Sequence, residues 1–162
     1  MRIRVTSKPL VGRVQIAIAV VGLLTTPPAV YAQDRDQSIE VKAVDFAFSL
    51  PDTLSAGSHR WSFINNGSVR HEFLVVRLPS ETSVQAAVDS LHARGMRAFM
   101  PGSPLLGFIS GGLLAPAGQK SEAELLTRDR RGDRLLVFCQ LREAPEKPKH
   151  DEMGMFKVIY IK

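Results

Sequence analysis

Hydrophobic residues recur along this chain with two different periods. From Ser38 to Leu50 they fall at every second position, first as Ile39 and Val41, then on a shifted phase as Val44, Phe46 and Phe48. A period of two predicts a strand with one buried face, and the phase change predicts a bulge near Ala43. Pro51 ends this run, Leu54–Gly57 reads as a turn, and His59–Ile64 follows as a second strand with Trp61 and Phe63 on one face. Asn65-Asn66-Gly67 is a turn signal, because these residue types tolerate positive φ. His71–Leu78 is apolar on both faces apart from Glu72 and Arg77, the pattern of a central strand covered on two sides.

After Pro79 and Ser80 the period lengthens. Val84, Ala87, Val88 and Leu91 share one face of a helix predicted over Thr82–Arg94, with Gly95 as its stop. Met96–Gly118 is rich in Gly and Pro with scattered Leu and Phe, and reads as an ordered, partly buried loop. Ser121–Thr127 reads as a further strand, Asp129–Gly132 as a charged hairpin turn, and Leu135–Cys139 and Phe156–Ile161 as the last two strands. Short strands with a single mid-chain helix predict an all-β fold, an antiparallel Greek-key β-sandwich with one helix inserted around 82–94.

Residues 1–32 follow a different logic. Arg2, Arg4, Lys8 and Arg13 form a charged start, Val14–Leu24 an apolar core, and Val30-Tyr31-Ala32 a small-residue cleavage site ahead of Gln33. That is the plan of a secretory signal peptide, and the core is short for a membrane span; the rival reading is an uncleaved anchor. The expectation is an exported protein, periplasmic or secreted, with one mature domain over 33–162. The whole chain carries 21 Lys+Arg against 16 Asp+Glu, but four of the basic residues and none of the acidic ones precede Gln33. The mature chain is then nearly neutral, which argues against nucleic-acid binding.

The chemistry-bearing residues gather late. Cys139 is the only cysteine, and one cysteine cannot form an internal disulfide. A lone cysteine in an exported protein is a reactive liability, an intermolecular link or a metal ligand. His150 and Met155 follow on the same loop, between the last two strands, and His71 opens an earlier strand. Thiolate, imidazole and thioether are soft donors that suit copper rather than magnesium or calcium. Each residue also has a plain structural reading: Cys139 as a small core hydrophobe, His71 as a turn cap, His150 as a solvated loop residue, Met155 as the first core residue of the last strand. His59 and His92 read as structural or solvated, and Met96 and Met100 as gap-filling. His71-Glu72 begins like a zinc-protease motif but lacks the second histidine.

In their order along the chain, Asn65-Asn66 before His71, then Cys139, His150 and Met155, these residues resemble the type 1 (blue) copper proteins, the cupredoxins. The resemblance covers roughly residues 39–78 and 118–162. It implies one mononuclear type 1 copper held by His71, Cys139 and His150 in a trigonal plane, with Met155 as the weak axial ligand. Met153 competes for the axial place; the Gly-Met step and the five-residue offset from His150 favour Met155. Ten residues separate Cys139 from His150, more than in plastocyanin-like members. Gln140, not histidine, follows Cys139, so the Cys-His link that wires copper oxidases and nitrite reductases to a second copper is missing. The resemblance therefore implies a one-electron carrier rather than an enzyme, a redox partner protein, a monomer outside the membrane, and a second histidine near the surface as the electron's exit. The alternatives are a copper-binding or delivery protein without redox turnover, and a metal-free interaction module of the same fold.

Overall fold

The structure is a computed structural model that describes residues 36–103, 105 and 107–162. The segment 1–32, expected as an export signal, lies outside the described residues. Among the described residues, nine strands form two sheets: β1 (Gln37–Val44), β2 (Ala47–Ser49), β4 (Gly57–Asn65) and β7 (Leu125–Asp129) in the order β2-β1-β4-β7, and β3 (Thr53–Leu54), β5 (His71–Leu78), β6 (Phe108–Ala115), β8 (Arg134–Phe138) and β9 (Phe156–Ile161) in the order β3-β9-β8-β5-β6. The fold is the expected β-sandwich, although its sheets are mixed. β1 runs parallel to β4 and β3 parallel to β9, and the remaining pairs are antiparallel.

Two cores explain the hydrophobic pattern. Between the sheets, Trp61, Phe63 and Phe73 lie fully buried with Val41, Leu135, Val137, Ile159 and Cys139. On the outer face of the second sheet, helix α1 (Val84–Arg94) and a following 3-10 turn (Gly95–Phe99) cover Val76, Leu78, Leu136 and Phe138. The central strands β5 and β8 are therefore enclosed on both sides, which is why they read as continuous apolar runs. The helix starts where Ser83 accepts a hydrogen bond from the Ala86 N–H, and it buries Ala87, Val88 and Leu91, three of the four residues expected on that face.

Three expectations need correction. The phase shift in Ser38–Leu50 is no bulge: Asp45 and Phe46 form a tight turn, and β1 and β2 pair across it. The run Met96–Gly118 contains a strand, β6, which pairs with β5 from His71↔Ala115 onward. Gly111 and Gly112 and its position at the sheet edge hide it from a period-two reading. The Asn65–Gly67 turn uses no positive φ at any of its three residues.

A buried polar network joins the two sheets away from the ligands. The Asp129 carboxylate accepts from Thr127 Oγ1 at 2.6 Å and from Arg77 Nη2 at 2.8 Å, and lies 2.9 Å from His59 Nδ1. His59 is structural here, since Nε2 is 3.0 Å from the Ser55 carbonyl. Burial raises the Asp129 pKa, but the bonds from Thr127, Arg77 and His59 outweigh it and leave the carboxyl below its usual value. A depressed folded pKa stabilises above the unfolded value of about 4 and loses that contribution as pH falls through the lower folded value. Asp129→Ala should cost about 3 kcal/mol at neutral pH, because it leaves buried His59 Nδ1 and the Thr127 hydroxyl without their acceptor beside a void, although Arg77 keeps Asp133 and the Arg128 carbonyl. Chemical denaturation from pH 7 to pH 3 checks this: the variant should start lower and lose less on acidification.

Candidate metal centre

Antiparallel pairing brings the start of β5, the end of β8 and the start of β9 to one end of the second sheet. His71 opens β5, Cys139 immediately follows β8, and Met155 immediately precedes β9. The ten-residue excursion to His150 closes on itself. The Asp151 N–H donates to the Cys139 carbonyl at 2.8 Å and the His150 N–H to the Leu141 carbonyl at 2.9 Å, so the loop is pinched at its neck. The Met155 N–H donates to the His150 carbonyl at 2.9 Å, and the Cys139 N–H to the Met155 carbonyl at 3.2 Å.

Three donor atoms converge at this neck. His71 Nδ1 lies 3.0 Å from His150 Nδ1, Cys139 Sγ 3.3 Å from His150 Nδ1, and Cys139 Sγ 4.0 Å from His71 Nδ1. A circle through points so spaced has a radius of about 2 Å, the length of an imidazole-to-metal bond; a thiolate bond is slightly longer. Among the described residues this is the one group of His, Cys, Asp and Glu side chains arranged to hold a metal ion. His71 and Cys139 have no exposure, and His150 is 1% exposed.

The electrostatics match the geometry. Burial lowers the pKa of both histidines, so both imidazoles are neutral and offer lone pairs near pH 7. Burial pushes the Cys139 thiol up to about 11, with Glu72 and Asp151 adding to the rise and backbone N–H bonds opposing it. The sulfur therefore keeps its proton until a cation replaces it. The Glu72 N–H donates to Cys139 Sγ at 3.4 Å, and the Glu72 carboxylate accepts the Gln140 N–H at 2.8 Å, which holds the two strand ends together around the sulfur.

Surrounding contacts hold these side chains in place. Asn65 Nδ2 donates to the Val69 carbonyl at 2.7 Å and the Ala115 carbonyl at 3.0 Å, and its Oδ1 accepts the Gly67 N–H at 2.9 Å. This fastens the loop before His71 to the end of β6. His92 Nε2, on the last turn of α1, lies 3.2 Å from the Asp151 carbonyl and ties the helix to the ligand loop. Met155 is fully buried in the inter-sheet core with Cys139, whereas Met153 is 37% exposed.

The resemblance implied a second histidine near the surface. His150 is 1% exposed and lines a surface cleft with Arg70, Leu141 and Glu143, and Phe46 stands edge-on to it at 5.1 Å between ring centroids. Sequence reasoning missed this residue and its neighbour Asp45, because the only trace of either was the phase shift in the first strand.

No family model matches the chain, and no curated protein matches it. Solved structures do. Reduced auracyanin from the photosynthetic bacterium Roseiflexus castenholzii is 13% identical, with 78% of this chain and 98% of that chain covered at a TM-score of 0.51. Auracyanin A, a "blue" copper protein from Chloroflexus aurantiacus, is 18% identical over 77% of this chain and 98% of its own, with a TM-score of 0.45. Rusticyanin from Thiobacillus ferrooxidans is 22% identical over 77% and 76%, with a TM-score of 0.45.

Replacing Asn65 with Asp tests the anchoring of His71. The change keeps the shape but turns two donated hydrogens into lone pairs facing two carbonyls, and should cost about 3 kcal/mol. Thermal unfolding of the metal-free protein reads it, and an unchanged midpoint would show that Asn65 does not carry the loop. The two packed sheets and the likeness to auracyanin together establish that the chain has the fold of the cupredoxins.

Proposed function

We propose that this protein is an exported mononuclear type 1 copper protein that carries one electron at a time. The observation that carries the reading is the convergence of two imidazole nitrogens and one thiol sulfur, all buried, on a common point. His71, Cys139 and His150 would hold the ion, and Met155 rather than Met153 would supply the thioether, being the methionine enclosed beside Cys139. Copper, when bound, supplies a one-electron couple between its two common oxidation states.

The chain's own residues supply the rest. Anchored strand ends keep the donors in one arrangement, so little has to reorganise when charge changes. The hydrogen bond from the Glu72 N–H to Sγ stabilises negative charge on the sulfur. The dry surroundings keep water from the donors and strengthen every local interaction. Enclosure also weighs against a delivery role, which needs a donor within reach of a partner: all three candidate ligands are closed off. Export rests on the leader-like composition of residues 1–32. A carrier role requires a redox partner protein, and the near-neutral mature chain gives that encounter little long-range steering.

Addition of Cu(II) should produce intense thiolate-to-copper absorption at roughly 600 nm, as expected of a His₂Cys trigonal centre. Cys139→Ser should remove that band and leave the fold in place, since serine keeps the shape but cannot supply a soft thiolate. Weak colour with tight Cu(I) binding would favour the delivery reading, and no binding the metal-free module.

Met155→Leu should leave copper bound and raise the reduction potential, because a thioether would be a weak donor that tunes rather than holds. Met153→Leu should do little. Protein-film voltammetry reads both, and a larger shift at Met153 would exchange their roles.

A further inference from the structure

The turn that joins β1 to β2 consists of Asp45 and Phe46, and both side chains point to a task beyond turning the chain. Phe46 has φ 61°, the one non-glycine residue at positive φ among the described residues. Glycine or asparagine would adopt this conformation readily, whereas phenylalanine is strained there. Strain kept at a bulky residue points to what its side chain does. The Phe46 ring stands edge-on to His150, with centroids 5.1 Å apart, and to His71 at 6.2 Å. It also lines a surface cleft of roughly 330 Å³ with Glu143, Lys147, Pro148 and Met153. The ring thus separates that cleft from the imidazoles.

Asp45 reaches one of these imidazoles, that of His71. Ser68 clamps it, donating from N–H to Oδ1 at 2.7 Å and from its hydroxyl to Oδ2 at 2.8 Å. Asp45 Oδ1 then lies 3.5 Å from His71 Nε2, a buried nitrogen with no closer partner. Gly67 leaves room for this. A Cβ there would stand 2.5 Å from Asp45 Oδ1 and 3.0 Å from His71 Nε2, and its φ is outside the left-handed region. Glycine is needed at 67 for space, and the space is filled by the carboxylate facing the histidine.

We propose that the Asp45-Phe46 turn is the positioning element and gate of the metal centre. Asp45 holds the proton of His71 at Nε2, leaving the Nδ1 lone pair turned toward His150 and Cys139. Phe46 closes the centre toward the cleft it shares with Met153, and an ion enters from that side when the ring swings aside. Without Asp45, His71 could instead donate from Nδ1 to His150 Nδ1, which is 3.0 Å away, and that tautomer blocks the donor atom. The assignment rests on the reading of His71, Cys139 and His150 as metal ligands. Orienting partners of this kind change metal affinity by about 10–100-fold when removed.

Phe46→Asn separates gate from scaffold, since asparagine suits the positive φ but carries no ring. In the metal-free protein its unfolding midpoint should equal or exceed that of the wild type, while Cys139 reacts with an aromatic disulfide reagent at least tenfold faster. A rate within twofold of the wild type overturns the gate, and so does a faster rate that merely tracks a fallen midpoint. For Asp45, nitrogen NMR of the metal-free protein at pH 8 should show His71 protonated at Nε2. Asp45→Ala should produce a tautomer mixture and bind Cu(II) at least tenfold more weakly, and Asp45→Asn, which keeps an acceptor oxygen, should restore most of the Nε2 form. An unchanged tautomer in Asp45→Ala removes Asp45 from the proposal. The thiol rate and the tautomer need no copper, so a wild type that takes up no metal defeats the functional reading and leaves both results readable.

Discussion

Crowding three donor atoms into a water-free space is the constraint on which this structure turns. Two imidazoles and a thiol lose their hydration together, and each loses its readiness to be charged: the histidines become weaker bases and the cysteine a weaker acid. Such a cluster cannot be held by its own interactions, which are weak. It has to be imposed by backbone. Strand ends from one sheet, a pinched loop, an asparagine bonded to two carbonyls and a turn from the opposite sheet all press on the same few atoms. The sandwich supplies the rigidity, because its central strands are packed on both faces and cannot shift independently.

Some of this was legible in the residues. The run of apolar positions in β5 marked it as central, and the period change marked the helix, because these signals are local and depend only on which faces are covered. Cys139, His150 and Met155 were legible as a group because they sit on one loop. His71 was legible only by its order relative to that loop. The spacing of ten residues between Cys139 and His150 obscured how close they come, since the two backbone hydrogen bonds at the neck cannot be inferred from the loop's composition.

What stayed hidden depends on distant partners. Phe46 reads as an ordinary apolar strand residue; nothing in Asp-Phe announces a tight turn as Asn-Gly would. The burial of His150 is a property of Phe46 and the folded loop, more than a hundred residues apart in one case, and no local pattern carries it. Gly67 illustrates a subtler limit. Its presence in an Asn-Asn-Gly run suggested a conformational role, yet its φ is ordinary and its lack of a side chain serves the space between Asp45 and His71. β6 was missed because an edge strand with two glycines has neither alternation nor bulk.

The neck of the ligand loop has a consequence for how such a centre can change over time. Because the Cys139–Asp151 and Leu141–His150 pairs fix Cys139 and His150 directly, residues 142–148 form a side excursion with bonds of its own, Arg142 to the Pro145 carbonyl and the Lys147 N–H to the Ala144 carbonyl, while Lys149 bonds onward to Glu152 and Met153. Lengthening or rewriting that excursion adds only a slowly growing entropy of closure. The exposed surface of this excursion is thereby free to diverge while the donor triangle at its neck stays the same, which makes the two separately variable traits of one short segment.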